Sequence, residues 1–226
     1  MPRPKYPRNI YVVAQILQQQ YRDFAHHNKK NPLNELLFII SSVKTTGPAY
    51  EKTYKSFRSQ FPTFNSIANA SYEKLCEVLS TGGLQNVKAN SIQKIMSTLV
   101  KRYGRPTLTP LRKMSDEDCE DLLLSFPGVG KKVARCVMMY SLHRKVFPVD
   151  THCWLISKRL GWVKERNKTR TIGDKEMDEL QDKIPPELRF SLHVNMVSLG
   201  KEYCTFHYPR CNNCPLNRCC RKVGVK

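Results

Sequence analysis

The sequence predicts an all-α fold, and three observations support this prediction. Apolar residues recur at three- and four-residue spacing almost throughout the 226 residues, which is the period of an amphipathic helix. The sequence contains no persuasive run of alternating apolar and polar residues, the pattern of a half-buried strand. The connections between apolar segments are rich in Gly and Pro, as helix connections commonly are.

The apolar spacing predicts ten helices, some of which have recognisable start signals. Ser115 with Asp118 three residues later is a capping-box pattern, with further acid in the first turn. Pro186 suits a first turn, because its missing N–H would be unpaired there in any case. In chain order, the predicted helices are 9–26, 32–43, 50–61, 71–79, 88–103, 115–125, 131–142, 151–160, 174–183 and 186–203.

The charge of the chain indicates a polyanionic partner. Lys and Arg number 38 against 19 Asp and Glu, which gives a net charge of +19 that is spread along the chain. A basic surface kept for solubility is the alternative, but the commonest use of such a charge is nucleic-acid binding. The sequence shows neither an apolar stretch long enough to span a bilayer nor an apolar run behind its N-terminus. We therefore expect an intracellular monomer outside the membrane, in a prokaryotic cytoplasm or nucleoid or in a eukaryotic nucleus.

The connection Phe126–Ala134 has the features of a phosphate-binding hairpin. Gly128 and Gly130 permit unusual backbone angles and close approach of a ligand. The next helix begins at once, so its free N–H groups and positive dipole end suit a DNA phosphate. We therefore expect Val129 and Lys131, with both glycines, to contact DNA. An ordinary tight turn between two helices is the alternative.

Two residues beyond the glycines have the chemistry of a catalyst. Lys132 lies in the first turn of its helix, where the dipole and Lys131 disfavour its protonated form. Its amine could then act as a nucleophile at neutral pH. Eighteen residues later, Asp150 precedes a new helix, where a carboxylate could stabilise an oxocarbenium ion or assist proton transfer. The alternatives are phosphate contacts for the two lysines and a helix N-cap for Asp150.

The C-terminal cysteines predict a metal or iron–sulfur site. Cys204, Cys211, Cys214 and Cys220 have the spacing C-x6-C-x2-C-x5-C, so four thiolates can converge on one inorganic centre. Cys219 is a further thiol, and spacing alone does not exclude it as the fourth ligand. A zinc knuckle is the rival, since four cysteines suit zinc equally well. Disulfides are a weaker alternative in a reducing compartment.

Together these motifs resemble the endonuclease III family of helix-hairpin-helix DNA glycosylases. The hairpin, the step of eighteen residues from Lys132 to Asp150 and the segment Val149–His152 carry the resemblance. Residues 31–42 resemble the first barrel helix of the family, and residues 83–89 resemble the loop that inserts a side chain into the DNA stack. The cysteine spacing is similar to that of the family's [4Fe–4S] loop, and the likeness extends from about residue 31 to 220.

The resemblance implies two helical lobes that flank a DNA-binding cleft. Residues 31–143 would form a six-helix barrel that bears the hairpin. Residues 1–30 and 144–226 would form the cluster lobe, with the [4Fe–4S] loop at 204–220. The cluster ligands would be Cys204, Cys211, Cys214 and Cys220, because only Cys220 reproduces the final five-residue gap of the family.

The resemblance also implies roles for individual residues. Lys132 would attack the sugar C1′ and form a Schiff base, and Asp150 would be the family's catalytic carboxylate. Leu84 would be the wedge in the DNA stack, and His152 would contact DNA. Lys44 replaces a Gln that commonly helps to fill the gap left by the extruded base, and lysine lacks the paired donor and acceptor of an amide. Opposite-base preference therefore remains open.

The expected function is base excision repair by a bifunctional DNA glycosylase/AP lyase. Its partner would be lesion-containing double-stranded DNA, and its substrates would be oxidised pyrimidines. Residues 142–150 and 159–163 are also similar to the plant 5-methylcytosine glycosylases, so a mismatched or methylated pyrimidine, or an abasic site, is an alternative substrate. A non-catalytic iron–sulfur DNA-binding protein is the alternative from a different class.

Overall fold

The computed structural model describes residues 6–23, 27–42, 47–80, 83–164 and 172–225. Every regular element in these ranges is helical, which confirms the predicted all-α class. The α-helices are α1 Ile10–Tyr21, α2 Pro32–Ser42, α3 Gly47–Gln60, α4 Phe64–Ala68, α5 Tyr72–Leu79, α6 Gln85–Tyr103, α7 Asp116–Leu124, α8 Lys131–Leu142, α9 Thr151–Leu160, α10 Asp174–Asp182 and α11 Arg189–Glu202. Short 3-10 helices lie at Thr109–Lys113, Pro186–Leu188 and Cys211–Asn213. None of the described helices is both long enough and apolar enough to span a bilayer.

The chain divides into two compact units. The central unit is His27–Arg144, and the terminal unit combines Met1–His26 with Lys145–Lys226. The interior of the central unit includes Leu36, Phe57, Leu75, Ile92, Ile95, Leu123 and Val137, all at most 1% exposed. The interior of the terminal unit includes Ile10, Leu17, Phe147, Cys153, Leu180, Leu192 and Met196.

The structure places the first boundary after His26, whereas the sequence-based boundary follows residue 30. Hydrogen bonds explain the difference. Glu35 on α2 is fully buried and accepts from Asn28 Nδ2 at 2.5 Å and from the Lys29 backbone N–H at 2.6 Å. Ser141 Oγ on α8 donates to the Lys29 carbonyl at 2.6 Å. Residues 27–30 are therefore tied to two helices of the central unit.

Caps determine where the helices begin and end. Ser115 caps α7 as its capping pattern predicts, since its Oγ accepts from the Asp118 N–H at 3.1 Å. Helix α6 begins at Gln85 and not at residue 88, because Leu84 is its N-cap. Helix α4 was not predicted, because five residues are too few for apolar spacing to show; Thr63 caps it. Pro186 opens a 3-10 turn, and the α-helix follows it.

Candidate active site and cysteine cluster

The backbone conformation of the hairpin between α7 and α8 requires a glycine at position 128 but not at position 130. Gly128 has a φ of +81°, and a Cβ there would lie 2.9 Å from Ser91 Oγ on α6. Gly130, the N-cap of α8, has ordinary angles (φ −94°, ψ 174°), and a Cβ there would meet nothing within 4 Å. Only Gly128 is therefore required by the fold. The absence of a side chain at Gly130 leaves the start of α8 open to a ligand.

The other hairpin residues divide into buried and accessible ones. Val129 is only 7% exposed, and its N–H donates to the Phe126 carbonyl at 3.2 Å. Its side chain is therefore part of the protein interior. Lys131 and Lys132 form the first turn of α8 and are both half-buried. The structure thus places two cationic side chains at the positive end of a helix that Gly130 cannot cap with a side chain.

We predict that replacing Gly128 by alanine lowers the free energy of unfolding by about 1–3 kcal/mol, because the left-handed backbone becomes strained and the new Cβ meets Ser91. Urea unfolding of the variant and the wild type measures this difference. Gly130→Ala is the matched control, with ordinary backbone angles and open space. It should lower the free energy of unfolding by at most about 1 kcal/mol, since alanine is a poorer N-cap than glycine, yet weaken DNA binding. Unchanged DNA affinity in Gly130→Ala would contradict close contact between the hairpin and DNA.

The loop before α6 presents a strained, exposed apolar residue. Leu84 has left-handed backbone angles (φ 53°, ψ 32°) and is 43% exposed. This conformation costs a non-glycine residue about 1–2 kcal/mol, and such strain is concentrated at functional sites. Val87, one helical turn along, is 61% exposed. Val87 was not predicted as a DNA contact, because the apolar spacing begins the helix at residue 88 and so leaves Val87 in the preceding loop, without a sign that it is exposed. Lys44 lies outside the described residues.

Asp150 and His152 belong to the terminal unit, at the start of α9. Asp150 Oδ1 accepts from the Cys153 N–H at 2.8 Å, so its carboxylate caps the helix. His152 is half-buried beside α11, and a Cβ at Gly200 would lie 2.3 Å from its Nδ1. Gly200 therefore allows the ring of His152 to pack directly against the backbone of α11. Lys132 lies in the other unit, so an encounter between Lys132 and Asp150 across a cleft stays a prediction.

The four cysteines of the predicted cluster interact with one another. Burial raises the pKa of Cys204, Cys214 and Cys220, that of Cys214 to about 11. The negative charges of the other thiolates raise these pKa values further: Cys211 acts on all three, and Cys204 also acts on Cys214. Cys219 differs, because burial and its neighbour Cys220 are the only influences that raise its pKa. These influences indicate that the four thiols lie near one another, and their binding of a shared inorganic centre stays a prediction.

Four thiol side chains are a donor set that suits either a zinc ion or an iron–sulfur cluster. Among the residues that the structure describes, no three His, Cys, Asp or Glu side chains are grouped so that they could hold a metal ion. A zinc ion would bring its sulfur ligands to about 2.3 Å from one centre. A four-iron cluster fills the space between its ligands with its own iron and sulfide atoms, so its cysteines can be farther apart. The chemistry of the four thiols therefore fits a cluster of this kind, and the identity of the bound group stays a prediction.

Arg159 on α9 stabilises the first cysteine of the loop. The side chain is 5% exposed. Its Nη1 donates to Cys204 Sγ at 3.0 Å and to the Thr205 carbonyl at 2.9 Å, and its Nη2 donates to the Phe206 carbonyl at 3.1 Å. The guanidinium opposes the effect of burial by lowering the pKa of Cys204. Arg159 was not predicted from the sequence as a partner of the cysteines, although a basic residue inside an apolar helical pattern is a signal of such a role.

Comparison with known proteins places this geometry in a family. Residues 37–184 match the model of the HhH-GPD superfamily of base excision DNA repair proteins. The chain is 31% identical to endonuclease III of Thermotoga maritima, over 86% of this chain and 85% of that protein. It is 34% identical, over 84% of its length, to an Arabidopsis thaliana protein named as a DNA glycosylase, of which it spans 60%.

Comparison with a solved structure also relates this chain to endonuclease III. The fold matches that of a trapped covalent intermediate between endonuclease III and DNA, with a TM-score of 0.77 and 26% identity. The match covers 96% of each chain. The family model, the bacterial relative and this structure agree. The chain therefore belongs to the endonuclease III family, within the HhH-GPD superfamily of base excision DNA repair proteins.

Proposed function

We propose that this protein is a bifunctional DNA glycosylase/AP lyase that removes oxidised pyrimidines from duplex DNA. The observation that carries the proposal is the position of Lys132, in the first turn of α8 directly behind the glycine hairpin. An amine beside a phosphate-binding backbone is placed to react with the sugar of a bound nucleotide. The likeness to an endonuclease III that was trapped covalently on DNA supports this role.

In the proposed reaction, Nζ of Lys132 attacks the sugar C1′ and the damaged base leaves with the electrons of the glycosidic bond. The C1′–O4′ bond of the sugar then breaks, with O4′ taking a proton and the nitrogen lone pair forming the C=N bond of the Schiff base. The Schiff base makes the 2′ proton acidic, and loss of that proton expels the 3′ phosphate by β-elimination. Asp150 stabilises positive charge on the sugar and assists proton transfer. The first step requires the unprotonated amine of Lys132 as the nucleophile.

DNA binding would use both the backbone and the base stack. The net charge of +19 attracts the duplex, and the start of α8 contacts a phosphate. Leu84, exposed and already strained, would enter the stack when the target nucleotide is flipped out. Val87, exposed in the first turn of α6, would add to this apolar wedge. Lys44 would contact the opposite strand.

We propose that Cys204, Cys211, Cys214 and Cys220 hold a [4Fe–4S] cluster, which when bound would supply a rigid cross-link of the loop. Arg159 would favour the thiolate of Cys204 and fix the loop through the Thr205 and Phe206 carbonyls. Arg210 and Arg218, which are exposed on the same loop, would then be held in place to meet phosphates.

Replacing Arg159 by methionine should lower the iron content per chain and the free energy of unfolding by about 3 kcal/mol, because two carbonyls and a buried thiolate lose their partner. Iron analysis, visible absorbance and urea unfolding measure these changes. Arg189→Met is the matched control, since Arg189 also donates to three backbone carbonyls of this unit, those of Lys145, Gln181 and Ile184. The control should lose stability but keep its iron. Equal iron loss in both variants would contradict a specific role for Arg159.

The proposed function is tested with a panel of duplexes that each contain one lesion, incubated with and without borohydride. Oxidised pyrimidines should be excised with strand cleavage, and borohydride should trap a covalent complex. Faster excision of a mismatched or methylated pyrimidine would correct the substrate class. Cleavage of abasic sites alone would reduce the activity to that of a lyase. DNA binding without excision or trapping on any lesion would favour the non-catalytic alternative.

A further inference from the structure

The loop between the first two cysteines presents three consecutive exposed aromatic rings, Phe206, His207 and Tyr208, here called the aromatic patch. Phe206 is 58% and Tyr208 88% exposed. The ring centroids of Phe206 and His207 are 4.9 Å apart, and those of His207 and Tyr208 are 6.3 Å apart. Single exposed apolar residues are common, but a contiguous exposed group more often marks an interaction surface.

Hydrogen bonds hold the backbone of the patch in place, so the exposure of its rings is a property of the fold. Arg159 binds the carbonyls of Thr205 and Phe206 at 2.9 and 3.1 Å. Thr205 Oγ1 donates to the Tyr208 carbonyl at 2.7 Å. With these backbone positions fixed, the rings project from a rigid loop and lose little entropy when a partner covers them.

The surroundings of the patch are cationic. The sequence from Tyr203 to Lys226 contains Arg and Lys but neither Asp nor Glu. Beside the rings lies a cavity of about 540 Å³, within the size range of small-molecule sites. Its lining includes Phe206, His207 and Pro209 together with Lys158 of α9 and Val223. No acidic side chain is among the described residues that line it.

We propose that the aromatic patch and this cavity bind an unpaired nucleotide of a DNA strand. The base would stack on Phe206 and Tyr208, and Lys158 would attract the phosphate. Aromatic rings next to cations are the usual platform for single-stranded nucleic acid, because every base has a face that can stack. Bases inside a duplex do not offer that face. The patch would therefore distinguish DNA with a single-stranded segment beside the duplex from blunt duplex, a selectivity that goes beyond excision of the lesion.

Fluorescence anisotropy with undamaged DNA tests this proposal on the full, iron-loaded protein. Three ligands are compared: a blunt duplex, the same duplex with a short single-stranded tail, and the duplex with a tail of propanediol phosphates that lacks bases. The wild type should bind the base-carrying tail about tenfold more tightly than the base-free tail. The double variant Phe206→Ser/Tyr208→Ser should lose this difference and keep its affinity for blunt duplex.

Tyr11→Ser is the matched control, because Tyr11 is 54% exposed in the same unit and its hydroxyl binds Glu187. It should retain the preference for the base-carrying tail. Equal wild-type affinity for the two tails would overturn the proposal, and so would a double variant that loses affinity for all three ligands equally. A further measurement adds thymidine monophosphate at the same concentration of nucleotide as the tail. If it displaces the tail, the proposal is overturned and the patch is instead a site for a mononucleotide.

A result that contradicts the proposed nucleotide binding can be distinguished from one that contradicts the proposed glycosylase/AP lyase activity. The binding assay uses no lesion, so it gives the same answer whether or not the protein excises bases. The excision assay is likewise independent of the patch. The double variant should excise lesions from blunt duplex within about twofold of the wild-type rate, because the two replaced side chains project from the surface. Iron content and thermal unfolding, both expected to match the wild type, confirm that its loop is intact.

Discussion

Replacing Lys132 by alanine is expected to abolish the covalent complex that borohydride traps between the protein and a lesion-bearing duplex. Without the amine no Schiff base forms, so β-elimination has no electron sink. Strand cleavage should fall by on the order of 10³-fold or more, the scale that removal of a catalytic nucleophile reaches in enzymes that act through one. Single-turnover cleavage and gel analysis of the trapped complex measure both effects.

The adjacent lysine provides the control for this experiment. Lys131 occupies the same first turn of α8, so Lys131→Ala removes one positive charge from the same place. It should weaken DNA affinity and reduce the salt dependence of binding, yet it should still give a trapped complex when the protein saturates the DNA. Alanine is a good helix former, so both variants should keep α8 helical, and urea unfolding of each variant checks that the fold is intact. Undiminished trapping in Lys132→Ala would assign the nucleophile to another amine.

Replacing Asp150 by asparagine should lower the excision rate by about 10²–10⁴-fold, the range typical of a lost acid–base group, while DNA binding changes little. The structure makes this a specific test of charge. Asp150 Oδ1 caps α9 through the Cys153 N–H at 2.8 Å, and asparagine is as good an N-cap as aspartate. Single-turnover excision and anisotropy binding, measured in parallel, separate the two effects.

Serine and alanine at the same position isolate the structural role of the carboxylate. Serine should retain the cap, whereas alanine should lose it and lower the free energy of unfolding by about 1 kcal/mol. All three variants should lose excision to a similar extent if the charge is what matters. Wild-type excision in Asp150→Asn would remove the catalytic role proposed for this carboxylate.

Several features could be predicted from the sequence because they depend on local chemistry. Apolar spacing predicted ten helical segments, since a helix that buries one face repeats every 3.6 residues. Ser115 caps α7 as predicted, because a cap involves only residues three apart. The hairpin and the cysteine spacing also lie within short segments. Charge and motif together indicated a DNA repair protein, and the comparisons with known proteins confirmed its family.

Other features depend on residues that are far apart in the chain. The sequence could not show that Gly128 faces Ser91, or that Gly200 faces His152, because such close approaches arise only when helices pack. For the same reason it treated Gly128 and Gly130 alike, although only Gly128 has a positive φ. The sequence also groups residues 27–30 with the terminal segments, whereas the buried carboxylate of Glu35 and the hydroxyl of Ser141 bind the backbone of Lys29 within the central unit.

The amino-acid sequence by itself determined the helical class, the hairpin with Lys132 behind it, and four cysteines at a spacing suited to one inorganic centre. These are properties of short segments, so they can be recognised without knowledge of how the helices pack. Only the tertiary structure placed the guanidinium of Arg159 against Cys204, 45 residues away, and showed that Phe206 and Tyr208 face water and not the core. Burial and long-range hydrogen bonds belong to the packed chain, since many segments together decide which side chains lose contact with water.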